Sequence, residues 1–229
     1  MIQLVTDLLD LCFPPSCAAC REPLGSSRAG PFCAVCADAV EPVPPGCPRC
    51  GLPGQEAAAC GACRLQVPAF DGCVAGALFG GPMADAVHAL KYCGRAAIAG
   101  PLGAWLAAAA PLPRGADVVS VPLARRRRIE RGYDQAALLA DSVARAARLP
   151  RLRSALRRVR ETPPQVGRSR DERFRNVAGA FTAAAAVRGR DLLLVDDVVT
   201  TGATASACAE ALRAAGARSI AVLALARAE

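Results

Sequence analysis

Beyond about position 70, short apolar runs of strand length alternate with longer stretches whose apolar residues recur at helical spacing. The runs predict strands over 72–79, 117–122, 180–181, the segment that ends in Asp196 and Asp197, and 219–225. Helical spacing predicts helices over 83–92, 98–109, 134–148 and 205–215, with Gly216 as the cap of the last. Residues 157–176 follow neither period: they are rich in arginine, carry Pro163-Pro164, and read as irregular. Strands alternating with helices argue a parallel, doubly wound α/β sheet, whose ligands sit at the carboxyl ends of strands. Upstream, the first dozen residues have the spacing of a short amphipathic helix, and the chain is then punctuated by cysteine, proline and glycine. The change of pattern near 66–71 predicts two domains, 1–66 and 67–229.

The chain has 229 residues and is 53% hydrophobic, enough for a sizeable core, while aromatics at 4% mean that the core is aliphatic. No apolar run reaches bilayer-spanning length, so no membrane insertion is expected. The first dozen residues include Asp7 and Asp10 and no basic residue, which argues against a secretory signal and for a cytoplasmic protein. The formal net charge is +8, and Lys91 is the only lysine among the 28 basic residues. Arginine suits a bidentate grip on phosphate, but a GC-rich genome gives the same bias, so charge alone says little about nucleic acid.

Eight of the 12 cysteines form four Cys-x-x-Cys pairs: Cys17/Cys20, Cys33/Cys36, Cys47/Cys50 and Cys60/Cys63. Two thiolates separated by two residues in a tight turn reach one tetrahedral ion, and two such knuckles complete a four-sulfur site. Four knuckles therefore predict two structural zinc ions in a tandem ribbon, with sequential and interleaved pairings both open. One redox motif would not explain four in a row. Cys12, Cys73, Cys93 and Cys208 read as small buried hydrophobes. His88 reads as a helix-face residue near Lys91.

The segment 192–204 concentrates the chemistry. Leu-Leu-Leu-Val ending in Asp196-Asp197 is a buried strand that delivers two carboxylates. Thr200, Thr201, Gly202, Ala203 and Thr204 then form a hydroxyl-rich turn running into a helix, which offers N–H groups and hydroxyls to a phosphate. Carboxylates for a sugar diol beside a phosphate cradle point to a phosphorylated ribose. A nucleotide-hydrolase strand would need a Gly-rich loop with Lys-Ser or Lys-Thr, and the chain has none. The segment resembles the signature by which type I phosphoribosyltransferases hold 5-phosphoribosyl 1-pyrophosphate (PRPP). On that reading Asp196 and Asp197 meet the ribose hydroxyls, directly or through Mg²⁺. The loop Val121, Pro122, Leu123 and Ala124, beside residues 125–128, would hold pyrophosphate. The stretch around Gln165, Arg168, Arg173 and Asn176 fits a flap that excludes water.

Taken together, the chain resembles the ComF family of competence-associated phosphoribosyltransferase relatives. The likeness rests on the knuckles, His88 to Lys91, Val121-Pro122-Leu123, Arg131-Gly132-Tyr133-Asp134-Gln135, Gln165 with Arg173 and Asn176, Gly179-Ala180-Phe181, and 195–204. It departs from the family in Asp134, where Asn is commoner, and Arg168, where an apolar residue is commoner. The resemblance implies a type I phosphoribosyltransferase-like parallel sheet behind an N-terminal double zinc ribbon. It adds Arg127, Arg131 and Arg173 to the PRPP-binding set and implies a part in DNA uptake during natural transformation. Single-stranded DNA and other competence proteins are the partners it suggests. The absence of an aromatic-rich segment leaves the acceptor of any transfer unspecified.

Overall fold

A computed structural model describes residues 15–24, 30–54, 58–163, 167 and 169–228. The amphipathic segment at the start of the chain, Cys12, Gln165 and Arg168 lie outside the described residues.

Four parallel strands form the sheet: β1 (Gly72–Leu78), β2 (Asp117–Ser120), β5 (Asp191–Val199) and β6 (Ser219–Arg227), in the order β1-β6-β5-β2. A small antiparallel ribbon pairs β3 (Leu156–Arg158) with β4 (Phe181–Ala183). The central strands are apolar on both faces, as a covered parallel sheet requires. Leu192 and Leu194 of β5, with Ile220 and Val222 of β6, face one core; Leu193, Val195, Leu223 and Leu225 face the other. Helices α3 (Gly81–Tyr92), α4 (Ala99–Ala109) and α6 (Gln135–Ala147) supply the second core, and α8 (Ala203–Ala214) the first. The α/β class with a parallel sheet is as the sequence predicts.

Two helices depart from the expectation. Residues 157–176 are not irregular throughout: they include part of β3 and most of α7 (Arg170–Val177). A full capping box starts α7, with Ser169 Oγ accepting from Glu172 N and the Glu172 carboxylate accepting from Ser169 N. The arginines after Ala124 form α5 (Arg125–Arg131), which ends on Gly132 at φ +79°. Both are polar nearly all round, so they lack the apolar stripe by which a helix is recognised.

The knuckles pair sequentially, Cys17, Cys20, Cys33 and Cys36 in one group and Cys47, Cys50, Cys60 and Cys63 in the other. In each group the second knuckle opens a short helix, α1 (Ala34–Asp38) after Cys33 and α2 (Gly61–Leu65) after Cys60. The first group docks on the α3–α4 side. Arg95 donates to Ser16 Oγ, Cys17 O and Ala18 O, and Phe32 meets Trp105 edge-on at 6.2 Å. The second is part of the sheet's core, its four cysteines packed with Phe70, Cys73 and Val199. There the buried Arg227 donates to Cys50 O at 2.7 Å.

Gly51, between knuckle and sheet, sits at φ +69°, and a Cβ there would come within 2.6 Å of Cys73 O. Gly51→Ala is therefore expected to lower stability by about 2–4 kcal/mol, from left-handed strain plus the clash. Urea unfolding checks this, and an unchanged midpoint would mean that the ribbon is not seated on β1 this way.

Cys73 and Cys208 are buried, as expected, and burial pushes Cys73 up to about 12. Cys93 is not buried as expected: it is the exposed C-cap of α3, with Sγ 3.9 Å from His88 Nδ1. His88 lies on the exposed side of α3 against the Tyr92 ring, as expected of a helix-face residue.

Candidate functional site

Each cysteine group has the spacing of a tetrahedral centre. A four-coordinate zinc with bonds of 2.3 Å sets its sulfurs about 3.8 Å apart. Here Cys50 and Cys60 Sγ are 3.8 Å apart, Cys20 and Cys33 Sγ 3.7 Å, and all ligand atoms of a group lie within 4.8 Å of one another. Burial acts to raise Cys17 and Cys47, but backbone N–H groups of the knuckles outweigh it and hold both at about 6. Burial and the neighbouring sulfurs push Cys36 up to about 12. Four thiolates at this distance cannot all ionise unaided, and a divalent ion removes the conflict. The residues fit structural zinc, with every position taken by sulfur.

The second site is a cleft of about 340 Å³ at the carboxyl ends of β5 and β2. It is lined by Val121, Pro122, Leu123, Arg127, Arg131, Arg173, Asp196, Asp197, Thr200 and Thr204. The structure thus brings together most of the predicted set from segments distant in sequence. Thr201, Gly202 and Ala203 line the adjoining turn. Gly202, at φ +77°, is the N-cap of α8 and lies over Phe70, so the turn can reverse into the helix.

Every polar residue of 133–135 has a role in the frame. Tyr133 donates its hydroxyl to Leu90 O at 2.6 Å, which ties the last turn of α3 to the start of α6. Asp134 caps α6 by accepting from Ala137 N at 3.1 Å, and its other oxygen accepts from Leu123 N at 3.2 Å. The expected departure at Asp134 thus leaves the helix start intact and steadies the 121–124 loop. Gln135 donates to Asp197 Oδ2 at 2.7 Å.

The carboxylates are not equivalent. Asp197 is 5% exposed, and Lys91 Nζ lies 2.8 Å from its Oδ1. Asp196 is half-buried and accepts from Asp197 N at 2.8 Å through one oxygen. Burial and the charge of Asp197 push Asp196 well above the usual carboxylate range, against the pull of Lys91.

Opposite them stands a cationic wall. Arg173 donates to Thr200 Oγ1 at 3.0 Å and Arg170 to Thr201 O at 3.2 Å, so α7 is fastened to the phosphate-type turn. Arg158 donates to Thr162 Oγ1 and lies over the Phe181 ring. Burial and the nearby Arg127 push Arg158 below its ordinary value, as happens where cations crowd and an anion is wanted. Arg131 packs over Tyr92 at 5.0 Å, and its Nη1 is buried without a hydrogen-bond partner among the described residues. Lys91 and four arginines thus meet two carboxylates in one cleft, an arrangement for a polyanion that carries hydroxyls.

Sequence reasoning left Lys91, Tyr92, Gln135, Arg158 and Thr162 out of the site. One signal was available: a lone lysine in an arginine-rich chain is a residue that arginine does not replace.

The double zinc ribbon domain family matches residues 8–64 and the phosphoribosyl transferase domain family residues 132–229. Among solved structures, the chain is 23% identical to the glutamine PRPP amidotransferase of B. subtilis, covering 61% of this chain and 27% of that one, at a TM-score of 0.40. The DNA utilization protein YhgH of Salmonella typhi is 36% identical over 95% of this chain and 99% of its own. Competence protein F of Haemophilus influenzae is 32% identical over 93% and 96%. With relatives of this identity aligned along nearly their whole length, the chain belongs to the ComF family, that of the YhgH and competence F proteins.

Proposed function

We propose that the cleft binds PRPP and that the protein acts in the cytoplasm in the handling of DNA, as the names of its relatives suggest. The observation that carries the reading is the convergence of Asp196, the 200–204 turn and the arginine wall on one cleft. Thr200, Thr201, Gly202, Ala203 and Thr204 would hold the 5-phosphate at the start of α8. Asp196 and Asp197 would form the ribose side of the cleft, with Asp196 offering its second oxygen. Val121, Pro122 and Leu123, with Arg127, Arg131 and Arg173, would hold the pyrophosphate, and Mg²⁺ would enter bound to it. Gln165, which lies outside the described residues, would be a further member of the binding set. In a transfer, departure of pyrophosphate leaves a cation-like sugar. Guanidinium groups around the leaving group stabilise that step, and α7 above the turn would keep water away. Residues 1–66 would be the ribbon module and 67–229 the phosphoribosyl module. Titration calorimetry with Mg²⁺-PRPP and with single-stranded oligonucleotide on one preparation tests the reading, and no heat with PRPP would remove it.

A second reading, binding of single-stranded DNA, is favoured by the exposed arginines of α5 and β3. Arg125, Arg128 and Arg157 are exposed, whereas Arg158 faces the cleft and belongs to it. Affinity is expected to fall with salt at a log–log slope of roughly −0.7 per phosphate neutralised. Replacing Arg125, Arg128 and Arg157 with glutamine should flatten that slope and spare PRPP binding. Competition between PRPP and DNA would instead put the strand in the cleft. Other competence proteins are the further partners this reading would bring.

A further inference from the structure

The lysine that the sequence reading left out stands where the frame of the site is decided. Lys91 lies in the last turn of α3, a helix held by the buried Met83, Ala86, Val87, Ala89 and Leu90. Its Nζ reaches Asp197 Oδ1 at 2.8 Å while Gln135 Nε2 reaches Asp197 Oδ2 at 2.7 Å. Both oxygens of Asp197 are therefore engaged by the protein, from two helices that Tyr133 joins through Leu90 O. Asp196 gives one oxygen to the backbone N–H of its neighbour and faces the cleft.

We propose that Lys91 is a positioning residue which, with Gln135, fixes Asp197 as a fully committed carboxylate, so that Asp196 is the member of the pair that meets the ligand. The proposal rests on the phosphoribosyl reading of the cleft and adds a division of labour to it. Two adjacent carboxyls in a half-buried site would otherwise share a proton, and neither would hold a fixed orientation. A lysine here is more apt than an arginine, because a single compact ammonium meets one oxygen and leaves the other to Gln135. The charged and titratable groups around the pair are Lys91 from α3, Asp134 at the start of α6, Cys208 from α8 and Cys73 from the sheet.

The test is a cycle of Lys91→Met and Asp197→Asn, read by PRPP affinity, with Lys91→Arg as the conservative variant. Lys91→Met should weaken PRPP about tenfold or more, as an uncompensated buried carboxylate does to its site. Lys91→Arg keeps the charge but brings a larger fork, so it should recover only part of that loss. In the Asp197→Asn background, Lys91→Met should cost nothing further, because its target is gone. An equal loss in both backgrounds means that Lys91 touches the ligand itself, and the proposal falls; no loss in either also overturns it. A ligand-free readout separates this from the fate of the PRPP reading: the nitrogen-15 order parameter of the Gln135 side-chain amide, which is bonded to Asp197 at 2.7 Å. Without Lys91, Asp197 is no longer held from both sides, and that order parameter should fall toward the value of a flexible side chain. If wild type binds no PRPP, the function reading fails and this measurement decides: a loosened amide upholds Lys91, and an unchanged one overturns it.

Discussion

Chelation of the metal is expected to unfold the region through residue 66 and to weaken the sheet along with it, in two steps. Structural zinc binds with about 10–16 kcal/mol, whereas a whole domain is stable by about 5–15 kcal/mol. Loss of either ion thus outweighs any single side-chain change. The groups differ in access. Cys20 is exposed and Cys33 and Cys36 are half-buried, but Cys47, Cys50, Cys60 and Cys63 are all buried. The first ion should therefore leave fast and without loss of the sheet. The second should leave slowly, because its four sulfurs are core residues beside Phe70 and Val199, and global unfolding should accompany it. Metal release followed with a chromogenic chelator, alongside far-ultraviolet circular dichroism, reads both steps. A folded protein with free thiols and no metal would refute the zinc assignment.

The second large effect concerns the carboxylates. Under the proposed function, the Asp196→Asn, Asp197→Asn double variant is expected to lose Mg²⁺-PRPP binding by about 3 kcal/mol or more. Each charge-assisted hydrogen bond to a ligand hydroxyl contributes about 1.5–3 kcal/mol; the variant removes the Asp196 acceptor and, with Asp197, the anchor that Lys91 and Gln135 hold. The amides keep the shape of the site, so the fold should survive. Ribose 5-phosphate should lose less than PRPP, because its phosphate still has the 200–204 turn and it brings no metal-bound pyrophosphate. Calorimetry on both ligands checks the pair of effects. Equal PRPP affinity in variant and wild type would end the phosphoribosyl reading.

How far the sequence spoke for itself depended on where a segment's information is held. The strand 191–199 was legible because both of its faces are apolar and its end is marked by two carboxylates. The eight knuckle cysteines were legible because their chemistry is local, two residues apart. Helix α7 was not, since Arg170–Val177 buries only Val177 and has no apolar stripe; its capping residues Ser169 and Glu172 were the available sign. The bond between Gln135 and Asp197 joins residues 62 apart, and that between Arg227 and Cys50 residues 177 apart. Neither leaves a periodic trace. Spacing also could not tell sequential from interleaved knuckles, because both satisfy the same count of sulfurs. Packing decides that, and it is a property of the folded chain.

The order of the strands has a consequence for how the molecule comes into being. β6, the last strand in chain order, is interior, with β1 on one flank and β5 on the other. On a ribosome, β1 has no neighbour to pair with until more than a hundred further residues have been added, an estimate taken from the separation of its partners. The knuckles can gather metal early, but the seat of the second one includes Arg227, which emerges 177 residues after Cys50. Closure of the sheet is thus a late, long-range event, slow by the rule that distant contacts fold slowly. Ribosome-bound intermediates would carry a metal-loaded head and an unfinished sheet, and the cleft at the end of β5 would take its final form only after β6 has emerged.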